Sequence, residues 1–282
     1  MSTIAIPQDR RAIPTFSMPT DPASGAALDT ALIMLALLAP TLVAMNIDER
    51  QLNSADIWMK PLHFQLSIFI HFAALVLLLP LINPAGRASR LIRWSMTSAA
   101  TAAVCEIGYI MLQAARGRAS HFNASTPIET VMYPLMGIGA TIIVIGSFLI
   151  GVQIWRQGRT DIGAGLRLGA ILGLTLGSAA TLIIAGTMAS GSIDGPGHWV
   201  GGVHSDANGL PFLGWSTTGG DLRAPHFFAT HGMQVLPVAG FLADRLFGSQ
   251  APRAVWSATA LWVALVATTF AIALTGTPLL RL

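Results

Sequence analysis

Residues 61–82 read PLHFQLSIFIHFAALVLLLPLI, with no Asp, Glu, Lys or Arg anywhere in the run. A bilayer core about 30 Å thick is crossed by about 20 consecutive apolar residues in a helix, so this run is long enough to span it. A polar turn follows at once, Asn83-Pro84-Ala85-Gly86-Arg87, and then Arg90 and Arg93. The same alternation recurs to either side. Apolar runs at 27–45, 91–115, 127–154, 165–189, 225–246 and 254–278 are separated by polar loops. The pattern predicts an all-α fold, a polytopic transmembrane bundle of seven helices. Pro61, Pro127 and Pro225 stand where a first-turn proline is tolerated. Thr126-Pro127-Ile128-Glu129 has the spacing of a capping box.

Composition agrees with a membrane protein. The chain has 282 residues, 53% hydrophobic and 10% charged, with a mean hydropathy of +0.62. Soluble domains carry about 25% charged residues. The net charge of +3 comes from sparse arginines, and no basic stripe interleaved with aromatics occurs, so no nucleic-acid partner is expected. Cys105 is the only cysteine, which excludes an intrachain disulfide and a thiolate metal cluster. Residues 1–26 are polar and carry Pro7, Pro14, Pro19 and Pro22. They read as a disordered cytoplasmic tail, with residues 27–282 as the transmembrane domain. A signal peptide would place its apolar core nearer the start.

The arginines orient the expected bundle. Arg87, Arg90 and Arg93 follow the second span, Arg156, Arg159 and Arg167 the fourth, and Arg245 and Arg253 the sixth, on the side of Arg10 and Arg11. Asp48, Glu49, Asp56, Asp194, Asp206 and Asp221 fall on the other side. By the positive-inside rule the N-terminus is inside and the C-terminus outside, as expected of a bacterial inner (cytoplasmic) membrane protein. Arg116 and Arg118 break the trend by standing on the outer face. Gly165, Gly169, Gly173 and Gly177 recur every fourth residue and predict a smooth ridge for close helix packing. Lys60 is the only lysine and lies at the outer end of the second span, so no helix centre offers a retinal Schiff base.

All seven histidines, His63, His71, His121, His198, His204, His226 and His231, fall in the outer half. Polar residues within a membrane are costly and mark function, so the asymmetry predicts one site open to the outside. Lys60, His63, Ser67 and His71 share one helical stripe, as do Glu106, Tyr109, Gln113 and Arg116. Glu106 comes out about 15 Å below the outer end of its helix, at a depth similar to that of His71, with His231 and Gln234 slightly shallower. The outer loop 190–224 is rich in glycine and carries His198, His204, Asp206, Trp215, Asp221 and Arg223. Loops of this length are functional lids or disordered, and these side chains favour an ordered lid. His226 and His231 are five apart, about 140° around a helix, and do not form an i, i+4 metal pair.

Two resemblances carry further expectations. Arg116-Gly-Arg-Ala-Ser-His-Phe-Asn123, Gly214-Trp-Ser-Thr-Thr-Gly-Gly-Asp-Leu-Arg-Ala-Pro-His-Phe227 and Trp58-Met-Lys-Pro61 resemble an uncharacterised family of seven-helix bacterial inner-membrane proteins. The likeness spans the second to sixth helices and implies the fold, not an activity. That family usually has Lys-Pro-Leu-Lys-Phe where this chain has His63 at the second lysine. A weaker resemblance is to seven-helix zinc hydrolases of the alkaline ceramidase and adiponectin receptor type. Ser67-x3-His71 fits their first motif, while His226-x4-His231 misses their His-x3-His by one residue.

The sequence reading is therefore an outward-facing His/Arg/carboxylate site between the second, third and sixth helices, roofed by the 190–224 loop. The expected ligand-binding residues are Glu106, Arg116, Arg118, Asp221, Arg223 and Gln234. The expected metal ligands are His121, His204, His226 and His231, with His71 as a further candidate. Imidazoles on separate helices suit a haem b iron or a transition metal such as Zn or Cu, which points to a redox or electron-transfer role. The alternatives are a zinc-dependent hydrolase of lipid-like substrates, and a transporter or receptor for an anionic small molecule held by the arginines. The expected partners are the lipid bilayer and a small molecule or cofactor arriving from the periplasmic side.

Overall fold

The computed structural model describes residues 19–281, apart from Pro196 and Asn208. Most of the expected tail, including Arg10 and Arg11, lies outside the described residues. The first helix, α1 (Pro22–Ile47), begins earlier than the apolar pattern predicts. Its start is set by Asp21, whose carboxylate accepts hydrogen bonds from Ser24 N at 3.0 Å and Ser24 Oγ at 2.9 Å and pairs with Arg87 at 3.1 Å. A short antiparallel hairpin follows, β1 (Gln51–Leu52) and β2 (Ala55–Asp56). Its turn places Asn53 and Ser54 at φ 52° and 66°. Then come α2 (Met59–Leu78), a 3-10 turn at Leu79–Leu81, the four-residue α3 (Pro84–Arg87) and α4 (Arg90–Ala115).

Helix α5 (Pro127–Gln157) starts at the expected capping box: Glu129 N donates to Thr126 Oγ1 at 3.3 Å, and Thr126 Oγ1 donates to Glu129 Oε2 at 3.1 Å. After α6 (Ala164–Ser190) the chain forms the strands β3 (Trp199–Val200) and β4 (Gly220–Asp221), paired antiparallel. Helices α7 (Arg223–Phe247) and α8 (Ala251–Leu274) are joined by a 3-10 turn at Gly248–Gln250. By length and composition six segments are apolar enough to cross a membrane, the last being the continuous stretch Arg223–Leu274 that contains α7 and α8.

Consecutive long helices pack side by side, α1 on α2, α4 on α5, α5 on α6, α6 on α7 and α7 on α8. Helix α2 also touches α4 and α7. The glycine ridge of α6 is the tightest seam. A Cβ on Gly169 would stand 2.3 Å from Leu236 O, one on Gly165 2.6 Å from Gly240 O, and one on Gly173 2.9 Å from Gly232 O. Asp244 of α7 caps the start of α6, accepting from Gly165 N and Leu166 N at 2.8 Å each.

Hydrogen bonds tie the loops into two ends. At one, Asn83 N donates to Gln157 O at 2.8 Å and Arg159 N to Leu81 O at 2.8 Å; this is the arginine end. At the other, Arg50 Nη2 donates to Ala115 O at 3.0 Å and Asp206 N to Asn53 O at 3.0 Å. Gly220 lies so close to Ala273 O that a Cβ there would approach it to 2.0 Å. This is the hairpin end, and the candidate site opens towards it.

Candidate functional site

The site is built downward from the hairpin end along α2. Its floor is His71, buried between α2, α5 and α7. The ring contacts Ser147 Oγ through Nε2 at 2.9 Å, and Gln234 Nε2 lies 3.2 Å from Nδ1. Ser147 Oγ is also 3.2 Å from Ile143 O. The hydroxyl has one proton, and given to that carbonyl it leaves His71 as the donor from Nε2 and the acceptor at Nδ1. Both ring nitrogens are then committed, so His71 is not free to bind a metal. Gln234 presents its carbonyl oxygen to the His231 ring, from which it accepts a hydrogen bond. Below this layer Phe72, Leu75, Leu79, Ile92, Met96, Ile150 and Ile154 are each no more than 1% exposed. That packing closes the polar region from the arginine end.

Above the floor lies a mixed cluster. Lys60 Nζ sits 5.9 Å from the centre of the Phe64 ring and is within electrostatic reach of Glu106, Asp206 and Arg223. Among the described residues it makes no hydrogen bond and no ion pair. Glu106, on α4, meets His121 Nε2 at 3.9 Å, and His121 takes Ser120 Oγ on its other nitrogen at 3.1 Å. His63 packs edge-on against Phe212 at 5.0 Å and bonds to the Phe212 backbone. His198 lies against Trp199, ring centres 3.9 Å apart, and 4.0 Å from Asp206. Burial pushes His198 down to about 3, with the Arg223 charge acting in the same direction. Burial also pushes His121 well below its ordinary value, helped by Lys60. Both rings are neutral near pH 7.

Each arginine expected at the mouth is already engaged. Arg223 pairs with Asp221 at 2.7 Å and Asp206 at 2.9 Å and donates to Gly214 O at 2.6 Å. Asp221 in turn accepts from Ser216 N at 2.9 Å. Arg118 grips Glu129 through two nitrogens, and Arg116 donates to Gln113 Oε1 at 2.7 Å. Arg116, Arg118 and Arg223, expected to hold an anion, thus each engage protein groups that pin loops, and Lys60 makes no ion pair among the described residues.

The expected metal set is not brought together. His204 stands on the exposed loop beside Asp194 at 3.1 Å, His121 meets Glu106, His231 lies against Phe227 at 4.3 Å, and His226 is half-buried with its Nδ1 shielded and unpaired. Among the described residues no group of three or more His, Cys, Asp or Glu is placed to hold a metal ion. The residues present do not fit a zinc or copper centre. His198 is half-buried in the ordered loop, its carbonyl accepting from Leu222 N at 2.8 Å.

Comparison with known proteins gives no match to a family model, to a curated protein or to a solved structure. The site therefore rests on its own geometry. The sequence reading missed Ser147, Glu129 and Trp199. Ser147 carries no signal, being one hydroxyl in an apolar helix. Glu129 was visible as the fourth residue of a capping box, which hides its second role towards Arg118.

Proposed function

We propose that the chain is a multi-pass, seven-span protein of the bacterial inner membrane that binds a small carboxylate-bearing molecule from the periplasmic side. A receptor-like or carrier-type binding role fits the residues better than a metal or haem centre. One observation carries this reading. Buried polar atoms in proteins are nearly always hydrogen-bonded, yet His63 Nε2, Gln65 Oε1, His198 Nε2, Trp199 Nε1 and His226 Nδ1 have no partner. All five belong to the half of the bundle near the hairpins, against Arg167 Nε at the other end. Groups of this kind await water or a ligand. Lys60 among them, which makes no ion pair among the described residues, supplies the charge for a carboxylate, and the arginines around it hold the roof in place.

The apolar layer below His71 makes the site one-ended in this conformation. That favours a sensing or binding role over an open transport path. The reading is tested with cysteine chemistry. Cys105 is the only cysteine and is exposed, so Cys105→Ser gives a clean background. In that background Lys60→Cys should react with a charged, membrane-impermeant thiol reagent added from the periplasmic side, and Gln153→Cys should not. A Lys60→Cys that stays unreactive from that side would remove the water-filled site on which the proposal stands.

A further inference from the structure

We propose that Phe212 is a gate: the loop tip that carries it opens and closes over His63, one helical turn from Lys60, and so controls entry to the site. This rests on the binding reading above and gives that site its moving part. The tip is the run Pro211-Phe212-Leu213. Leu213 N donates to Pro211 O at 2.7 Å across Phe212, whose φ is 64°. A three-residue turn closed in this way around a central residue of positive φ is the rare, strained form of the γ-turn, and a bulky side chain there is disfavoured as well. The same loop has a second three-residue turn, Ser205 N to Val203 O at 2.9 Å, whose central His204 stays out of positive φ. That is the common, relaxed form. Backbone strain persists only where neighbours hold it, and it gathers at ligand clamps and switches.

Here the neighbours make a firm base and a loose tip. Leu210 N donates to Trp215 O at 2.8 Å and Gly214 N to Leu210 O at 2.7 Å. Leu210 and Trp215 are buried against Ala224 of α7, which anchors the base. Phe212 itself is 58% exposed. Its ring packs edge-on against His63 at 5.0 Å, and its backbone bonds to the His63 ring. Under this cover His63 Nε2 is shielded from solvent and has no partner. Turning Phe212 back to negative φ breaks the Leu213–Pro211 bond where water can replace it, relieves the strain and lifts the ring from His63. Closing regains the aromatic contact and the His63 bond. Pro211 and Gly214, the latter at φ 68°, bracket the residue that moves. The two positions are balanced by small opposed contributions, and a ligand group that takes up His63 shifts that balance.

The test treats the full chain in lipid nanodiscs with diethyl pyrocarbonate, which acylates neutral imidazole nitrogen, and follows each histidine by mass spectrometry. N-acetylhistidine in the same tube sets the rate of a free ring. His71, with both nitrogens committed, sets the rate of a closed one. His63 should fall between them, about 10- to 1,000-fold slower than the free ring, as for a group reached through an open state populated at about 0.1–10%. Phe212→Ala should speed His63 severalfold or more. Val203→Ala, which trims another exposed side chain of the loop, should leave it unchanged. Both substitutions are at exposed positions, and the first comparison needs no variant. His63 as inert as His71 would make the turn a static cover, and His63 as fast as the free ring would mean no cover; either refutes the gate. So would equal acceleration by Val203→Ala, or none by Phe212→Ala. The Lys60→Cys labelling decides the site separately. A labelled Lys60→Cys with an inert His63 removes the gate and leaves the site, whereas an unlabelled Lys60→Cys removes the site and the gate with it.

Discussion

Glu129 is read from the sequence as a cap, and it is also the counter-charge that immobilises Arg118 and orders the chain between α4 and α5. Its carboxylate takes Arg118, Gln113 Nε2 at 3.0 Å and Thr126 Oγ1 at 3.1 Å. Gln113 passes the arrangement on to Arg116. Two arginines that break the topological trend are thus accounted for by one buried acid. His198 makes a prediction at the same scale. Its docked ring titrates at about 3 because it is buried, against about 6.5 when free. Below pH 6.5 the released loop takes up a proton that the docked loop refuses. Docking therefore weakens as pH falls, by up to about 1.4 kcal/mol per unit, and is fully present above that window. Hydrogen exchange of residues 191–222 should quicken between pH 7 and pH 5, before ordinary carboxylates protonate. His198→Gln should flatten that dependence; an unchanged profile would show that His198 does not couple to docking.

At the scale of elements, the glycines of α6 were legible in the sequence because a small residue every fourth position has few other uses in a span. The structure seats them against α7 as expected. Gly169→Leu forces a side chain into Leu236 O, where even a Cβ would stand at 2.3 Å, and should destabilise the protein by about 1–3 kcal/mol or more. Gly186 lies on the same helix with nothing within 4 Å of a Cβ, so Gly186→Leu should unfold at nearly the original temperature. Equal melting of the two variants in detergent would mean that the seam does not hold the bundle. The hairpins were not legible. Strands of two residues, such as Trp199–Val200 and Gly220–Asp221, are too short for a period of two to register. The ion pairs beside β4 join Arg223 to Asp221, two residues away, and to Asp206 across the loop, and no periodicity marks them. The candidate site divides in the same way. The histidine-bearing stripe of α2 could be read from spacing, but which arginines were already engaged could not, because their partners Glu129, Asp206 and Asp221 sit on other elements or across a turn.

At the scale of the whole molecule, the two ends differ in how their arginines are compensated. At the hairpin end Arg50, Arg118 and Arg223 are ion-paired, and Arg116 is held by Gln113. At the arginine end Arg87 and Arg159 have carboxylates, whereas Arg90, Arg93, Arg156, Arg245 and Arg253 make no ion pair among the described residues. Most of the arginines that make no ion pair among the described residues therefore gather at that end, and of the two that contradicted the rule Arg118 is neutralised by Glu129 and Arg116 is held by Gln113. The exposed tryptophans Trp94, Trp155 and Trp256 lie near the same end, on α4, α5 and α8, at the level where indole rings favour a membrane interface. Lysine and arginine beside a span hold their loop on the cytoplasmic side, so the arginine end should face the cytoplasm and the ligand site the periplasm. An alkaline phosphatase fusion after Leu282 should be active, and one placed in the loop at 83–89 should be inactive. The reverse pattern would turn the site to the cytoplasm. It would also require Lys60→Cys to be labelled only after the membrane is opened, so two independent measurements must agree on the same orientation.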